Sequence, residues 1–123
     1  MTNLEATPIK VTIGELVLHG TLGTTSTARD LIAHLPLTLR FGDLNGVEKY
    51  ADLPRNLSLD GVPAGDDPDP ADIGYYAPGG NLVFYYGDVG YWPGIVRIGA
   101  FSTGVDAIAD ITDEFVATVE RAA

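Results

Sequence analysis

Apolar and polar residues alternate along the first part of the chain with the period of a β-strand. The alternation covers residues 9–13 and 16–22, and Gly14-Glu15 separates the two segments. Because a short glycine-containing pair between two apolar segments is typical of a tight turn, this region predicts a β-hairpin. Residues 1–7 precede the hairpin and are predicted to form a short, flexible polar tail.

The period then changes to that of an α-helix. Between Ala28 and Leu35, apolar residues recur at positions i, i+3, i+4 and i+7. Thr27 has an acid three residues later, which is the spacing of a capping box. Pro36 ends the segment, because the residue before a proline disfavours the helical conformation. One short amphipathic helix is therefore predicted over residues 27–35.

Strand-like segments return after this helix and continue to the end of the chain. Predicted strands cover residues 37–41, 48–53, 73–77, 81–86, 95–101 and 115–120. Asn45-Gly46 is a strong turn signal between the first two of them, and four prolines within residues 54–72 indicate a long loop. For the last segment a helix is the alternative, since its apolar residues also fit a helical spacing.

A second short helix is predicted after residue 101. Ser102 or Thr103 can cap it, and Val105 and Ile108 give it an apolar side. The chain then has seven or eight short strands and two short helices, so its fold class is mainly β. Short strands joined by hairpin turns are typical of a sandwich or of a barrel whose ends the helices can cover.

Composition limits the class of protein and its partners. The chain has 123 residues, which suits a single domain over 1–123, and its 7 basic against 17 acidic residues give a net charge of −10. We therefore expect no nucleic-acid partner and no anionic membrane, because both reward basic patches. Cysteine is absent, and residues 1–10 lack the apolar segment of a signal peptide, so we expect a cytoplasmic protein.

The order of these elements resembles that of the small cyclophilin-like proteins of uncharacterised function. The resemblance is carried by residues 26–54, by the segment DIGYYAPGGNLVFYYGD at 72–88, and by RIGAF at 97–101. It implies a closed, cyclophilin-like β-barrel with a helix at each open end. The alternation of apolar residues by itself leaves barrel and sandwich open.

The resemblance also raises the question of proline isomerase activity. Cyclophilins use an Arg near the prolyl nitrogen and an apolar pocket for the ring, within a Phe-His-Arg-Val-Ile-Pro-Gly-Phe strand followed by Gln-Gly-Gly-Asp. Neither segment occurs here, although Arg40 lies just after the first predicted helix, between Leu39 and Phe41. We therefore expect no catalysis. The alternative is a divergent isomerase, or another small enzyme that uses Arg40 and tyrosine side chains.

Aromatic residues are concentrated in one part of the chain. They are Tyr75, Tyr76, Phe84, Tyr85, Tyr86, Tyr91 and Trp92. Alternation places Tyr85 opposite Phe84, so one face can fill a core while the other lines a groove. Tyrosine and tryptophan suit a binding groove because each joins a large apolar ring to a polar group. The alternative is an ordinary core on which Trp92 forms a cap.

The predicted binding site combines these rings with two arginines. The ligand-binding residues are Tyr75, Tyr85, Tyr91, Trp92, Arg97 and Arg40. An arginine at one end of the groove would suit a flat or anionic small molecule, or a peptide carbonyl. The alternative for each arginine is an ion pair with one of the 17 acids.

Other catalytic and metal-binding patterns are missing from the sequence. The acidic loop at 66–72 fails the calcium-loop spacing, and His19 and His34 lack any zinc-site pattern. We therefore expect no catalytic residue, metal or cofactor. The sequence predicts a small, soluble, non-enzymatic module that binds a small molecule or peptide. A homodimer formed through a free β-edge is a further alternative.

Overall fold

The computed structural model describes residues 6–122, which form strands and two short helices. The strands are β1 (Thr7–Ile13), β2 (Leu16–Leu22), β3 (Leu37–Leu44), β4 (Glu48–Asp52), β5 (Gly65–Asp66), β6 (Asp72–Tyr76), β7 (Asn81–Tyr85), β8 (Trp92–Pro93), β9 (Ile95–Phe101) and β10 (Phe115–Arg121). The helices are α1 (Ser26–Ala33) and α2 (Val105–Ala109). Among these described residues, no helix is long and apolar enough to cross a membrane.

Eight of the strands close into an antiparallel barrel. Their order around it is β1-β10-β3-β4-β7-β6-β9-β2, and the last strand pairs again with the first. The mainly β, closed barrel implied by the family resemblance is therefore confirmed, and the sandwich is not the fold. The short strands β5 and β8 form a separate two-stranded sheet. Because each barrel strand has a neighbour on both sides, the free edge invoked for a homodimer does not occur in the barrel.

Aromatic rings fill much of the barrel interior. Phe84 stacks on Phe41 with ring centroids 4.5 Å apart, and its ring meets that of Phe101 edge-on at 4.9 Å. Phe115 stacks on the other side of Phe41 at 5.3 Å. Such ring pairs stabilise a core beyond the apolar area that they bury. All four rings come from barrel strands, so closure of the sheet brings them together.

The predicted hairpin and the predicted final strand are confirmed. Strands β1 and β2 pair from Thr7 to Ile13 across the Gly14-Glu15 turn, and the segment from Phe115 is a strand and not a helix. The predicted tail is too long at its end, because Thr7 already pairs with Leu22 in the hairpin. Residues 1–5 of that tail lie outside the described part of the chain.

Helix α1 begins one residue earlier than predicted and has a different cap. The hydroxyl of Thr25 accepts the N–H of Ala28, so Thr25 is the N-cap. Thr27 is buried and donates instead to the carbonyl of Ser58. The carboxylate of Asp30 accepts the N–H of Ser58 at 2.8 Å. The pair that resembled a capping box therefore attaches the long loop after β4 to the helix.

Helix α2 also differs from its predicted start. Its N-cap is Gly104, which makes no side-chain cap bond and has a φ of 88°. Glycine adopts this left-handed conformation without the steric cost that a side chain adds. Ser102 is occupied elsewhere, because its backbone N–H and its hydroxyl both donate to the carbonyl of His19. Ile108 is the buried residue by which this helix joins the core.

Candidate functional site

Strand β7 buries both of its faces. Leu82 and Phe84 point into the barrel core, whereas Val83 and Tyr85 belong to a second apolar cluster with Ile95 of β9. Side chains alternate across a strand, so this second cluster lies on the outer face of the barrel. Another part of the chain must shield this outer face from water, and the segment that follows β7 does so.

Gly74 makes the space in which the ring of Tyr85 lies. A Cβ atom at position 74 would come within 2.7 Å of Cε2 of Tyr85, and within 3.2 Å of the carbonyl oxygen of Val96. Real side chains avoid such short contacts, so only glycine allows the ring to lie over β6 in this position. The Tyr85 ring therefore lies close against β6 on the outside of the sheet.

The aromatic loop, residues 87–94, is the segment that covers this face. At its start, the N–H groups of Tyr86 and Gly87 both donate to the carbonyl of Val47, in the β3–β4 turn. At its end, β8 pairs with β5, and the N–H of Gly94 donates to Ala64. Within the loop, the indole N–H of Trp92 donates to the carbonyl of Val89 at 2.9 Å. The loop is therefore bonded to the β3–β4 turn at its start and to the β5 segment at its end.

A groove of about 450 Å³ lies between the aromatic loop, the β3–β4 turn and the outer face of β7. Its walls combine the rings of Tyr76, Tyr85 and Trp92, the apolar residues Leu44, Val47, Val89 and Ile95, and the polar residues Asn45, Glu48 and Asp88. This volume is within the range of about 300–1,000 Å³ that is usual for small-molecule sites. Two of the lining residues are acids, and none is a lysine or an arginine.

Glu48 is half-buried on this groove, next to Tyr85 across the β4–β7 pair. Burial raises the pKa of Glu48, and the negative charge of Asp43 raises it further. Burial likewise raises the pKa of Tyr85, with added contributions from the charges of Glu48 and Asp72. Burial disfavours a charge of either sign, whereas the carboxylates of Asp43, Glu48 and Asp72 specifically oppose further negative charge at this face.

A buried lysine lies beside the groove but faces away from it. Lys49 follows Glu48 in β4, and its side chain is only 2% exposed. Its ammonium nitrogen lies 3.0 Å from Oδ1 of Asp43, donates to the carbonyl of Ile111, and lies 5.2 Å from the centre of the Tyr86 ring. These contacts satisfy the buried charge within the protein.

Asp43 completes this lysine cluster. Burial alone would raise the pKa of Asp43, but hydrogen bonds from Tyr86, Lys49 and the N–H of Gly46 outweigh that effect and lower it. The hydroxyl of Tyr86 donates to the carboxylate, and burial together with this bond raises the pKa of Tyr86 to about 12. The cluster is therefore a Lys–Asp ion pair supported by a protonated tyrosine.

The structure brings together only two of the six residues predicted to bind a ligand. Tyr85 and Trp92 line the groove, whereas Tyr91 is exposed beside them and is not part of the lining. Tyr75 lies in the barrel core, where its hydroxyl accepts the N–H of Leu57 at 3.1 Å. Tyr76, its neighbour in β6, lines the groove in its place.

The two predicted arginines lie outside the groove. Nε of Arg97 is 2.8 Å from a carboxylate oxygen of Asp72, on the outer side of β9. Arg40 is exposed and lies 3.7 Å from a carboxylate oxygen of Glu114, in a separate depression of the surface. Both therefore form the ion pairs that were the alternative expectation, and the groove has no positive end.

Among residues 6–122, no group of three or more His, Asp or Glu side chains is placed to hold a metal ion. Glu48 and Asp88 were not singled out by the sequence, because a single acid in a strand or loop carries no motif. The one available signal was the Asn45-Gly46 turn, which places Glu48 at the start of a strand.

The closed antiparallel barrel with two short helices and an outer groove defines a class of small barrel proteins. A family model described as the Cyclophilin-like family matches residues 11–120, so the chain belongs to this family. The solution structure of the hypothetical protein AF2241 from Archaeoglobus fulgidus is similar, with a TM-score of 0.68 and 15% sequence identity. The likeness covers 94% of this chain and 95% of that one, and it shows the fold alone. The search of curated proteins found no match.

Proposed function

We propose that this protein is a non-enzymatic binding module whose outer groove takes a small organic molecule. The observation that carries the proposal is Trp92, which lines the groove while 58% of its surface stays exposed. Full burial of a large apolar side chain gains about 1.5–3 kcal/mol. Because much of the Trp92 ring remains exposed to water, part of this free energy is gained only when a ligand covers the ring. The surrounding hydrogen bonds fix the ring before any ligand arrives, which lowers the entropic cost of binding.

Proline isomerase activity is not part of this proposal. Catalysis of that reaction needs an arginine next to an apolar pocket, whereas the depression that Arg40 lines also contains the acids Asp52 and Glu114. The guanidinium of Arg40 also lies 3.7 Å from a carboxylate oxygen of Glu114, in a solvent-exposed ion pair. In an isomerase assay with protein near the substrate concentration, we expect no acceleration. An acceleration that Arg40→Ala abolishes would show that the protein is a divergent isomerase and not a non-enzymatic binding module.

The single tryptophan of the chain makes the groove directly observable. Titration with a panel of small aromatic fragments, comprising neutral, cationic and anionic members, is expected to change Trp92 fluorescence saturably for at least one class. The same fragments should shift the amide resonances of Val47, Val89 and Ile95. If no fragment of any charge gives a saturable change at these positions, the groove is not a binding site.

Tyr91 offers a matched control for this experiment. It precedes Trp92, is 61% exposed and does not line the groove. Followed by amide shifts, Trp92→Ala should weaken fragment binding, and Tyr91→Ala should leave it unchanged. A second copy of the chain is the other occupant to consider. In that case Trp92→Ala would shift the sedimentation of the protein from dimer to monomer, with no fragment bound by either form.

A further inference from the structure

The charges around the groove have one sign. Glu48 and Asp88 supply the charged side chains of its lining. The nearest basic residue along the chain, Lys49, is buried on the opposite face of β4 and is paired with Asp43. Arg97, which the sequence placed at the groove, is paired with Asp72. A positively charged ligand would therefore meet two carboxylates that have no cationic partner among the groove residues.

The rings of the groove favour the same sign of charge. Tyr76, Tyr85 and Trp92 line it together, and the faces of such rings carry partial negative charge that attracts organic cations. The remaining walls are apolar, including Val47 and Val89. Apolar walls reject strongly hydrated inorganic ions, because those ions would lose water without replacement ligands. A weakly hydrated alkylammonium group loses little on entry.

We propose that the groove selects a small organic cation, with a methylated ammonium head group placed among Trp92, Tyr76 and the carboxylate of Glu48. This inference rests on the proposed function, since it requires that the groove binds a ligand at all. It reverses the anionic ligand that the sequence suggested, because the arginine on which that expectation depended lies elsewhere. The ligand is a free small molecule, in keeping with the groove volume of about 450 Å³.

Three probes of nearly equal shape separate charge from size. Choline carries a trimethylammonium group. Neohexyl alcohol has carbon in place of that nitrogen and is neutral. The tert-butylacetate anion has the same tert-butyl head, with a carboxylate at its other end. Each is titrated against the full chain, with Trp92 fluorescence and amide shifts as readouts. We expect choline to bind about tenfold more tightly than neohexyl alcohol, and tert-butylacetate to bind most weakly.

Variants then assign the preference to the groove. Glu48→Gln should remove most of the advantage of choline over neohexyl alcohol, and Asp88→Asn should reduce it less, because Asp88 is exposed. Glu15→Gln is the matched control, since it removes the same unit of charge in the exposed β1–β2 turn. Native amide spectra of all three variants establish that they fold. The control should bind choline like the unmodified chain.

Each other outcome overturns the inference in a recognisable way. If neohexyl alcohol binds in the groove as tightly as choline, or tert-butylacetate binds best, the groove is a ligand site without cation selectivity, and the proposed function stands. If Glu48→Gln and Glu15→Gln weaken choline equally, the probe responds only to the net charge of −10. If none of these probes and no aromatic fragment binds, the proposed function fails as well.

Discussion

The two faces of β7 are equally buried but are covered in different ways. On the inner face, Phe84 packs against the rings of Phe41 and Phe101 from two other barrel strands, and closure of the sheet holds them in place. On the outer face, Tyr85 is enclosed by Gly74 beneath it and by the aromatic loop above it. Low exposure therefore has two origins in one strand. The inner face depends on the whole barrel, whereas the outer face depends on one short loop that leaves a groove open.

Truncation of the inner face should have the largest effect. Phe84→Ala removes a fully buried ring that contacts Phe41 and Phe101, so we expect a loss of about 3–5 kcal/mol in the free energy of unfolding. Urea denaturation followed by circular dichroism measures it. A loss below about 1 kcal/mol would mean that the ring cluster does not carry the core, and the contrast between the two faces would disappear.

Substitution of Gly74, which lies beneath Tyr85, should have the second-largest effect on stability, because an added side chain would collide with the Tyr85 ring. The new Cβ of Gly74→Ala lies 2.7 Å from the Tyr85 ring, and overpacking of this kind costs about 1–3 kcal/mol. In a double-mutant cycle, Tyr85→Ala should relieve most of that cost. Additive losses would show that the strain comes from the backbone at Val96 and not from the ring.

Removal of the ring above the groove should barely affect folding. Trp92 is mostly exposed, so we expect Trp92→Ala to change the free energy of unfolding by about 1 kcal/mol or less. Tyr91→Ala, at the neighbouring exposed position, provides the reference value from the same urea titration. A loss of about 3 kcal/mol or more for Trp92→Ala alone would mean that the ring caps the core, and the groove would lose its main support.

The smallest expected effect is an increase in stability, and it comes from substitution of Glu48. The pKa of Glu48 is raised on folding by burial and by Asp43, so the folded state binds this proton more tightly than the unfolded chain does. Stability therefore falls as pH rises through the ordinary glutamate pKa towards the raised one, and the ionised carboxylate is unfavourable at neutral pH. The groups around it are Tyr85 and Tyr76 on the sheet and Asp88 in the loop, none of which is cationic.

Glu48→Gln should accordingly raise the melting temperature slightly at neutral pH. The gain should shrink near about pH 4, where the unmodified glutamate is largely protonated. Glu15→Gln, at an exposed position, should change the melting temperature little at either pH. A lower melting temperature for Glu48→Gln at neutral pH would contradict an unfavourable carboxylate in the groove.

Much of the barrel could be predicted because its strands have a local signature. The alternation gave the limits of β9 and the pairing of β1 with β2, and the apolar spacing gave α1 to within two residues. Alternation tells which residues share a face, but it does not tell how a sheet closes. The barrel therefore had to come from family resemblance, since closure depends on pairings such as β1 with β10, which are far apart in sequence.

The site was harder to predict, because neighbouring residues with similar side chains have opposite fates. Tyr75 and Tyr76 are neighbours of the same type in the sequence, yet Tyr75 is buried in the core and only Tyr76 faces outward. Glu48 and Lys49 show the same difficulty with charged residues. A lysine is normally placed in solvent, and Lys49 is buried only because Asp43 and the carbonyl of Ile111 lie within reach in the folded chain.

Closure of the barrel also bears on the rates at which parts of the protein open. A barrel strand must break two ladders of hydrogen bonds to leave the sheet, whereas β5 and β8 are held to each other by two residues each. Native-state hydrogen exchange should thus divide the chain into a slow unit, the eight-stranded barrel, and a fast unit that contains the aromatic loop. Entry and release of the ligand proposed for the groove would then involve only the fast unit, with no opening of the barrel.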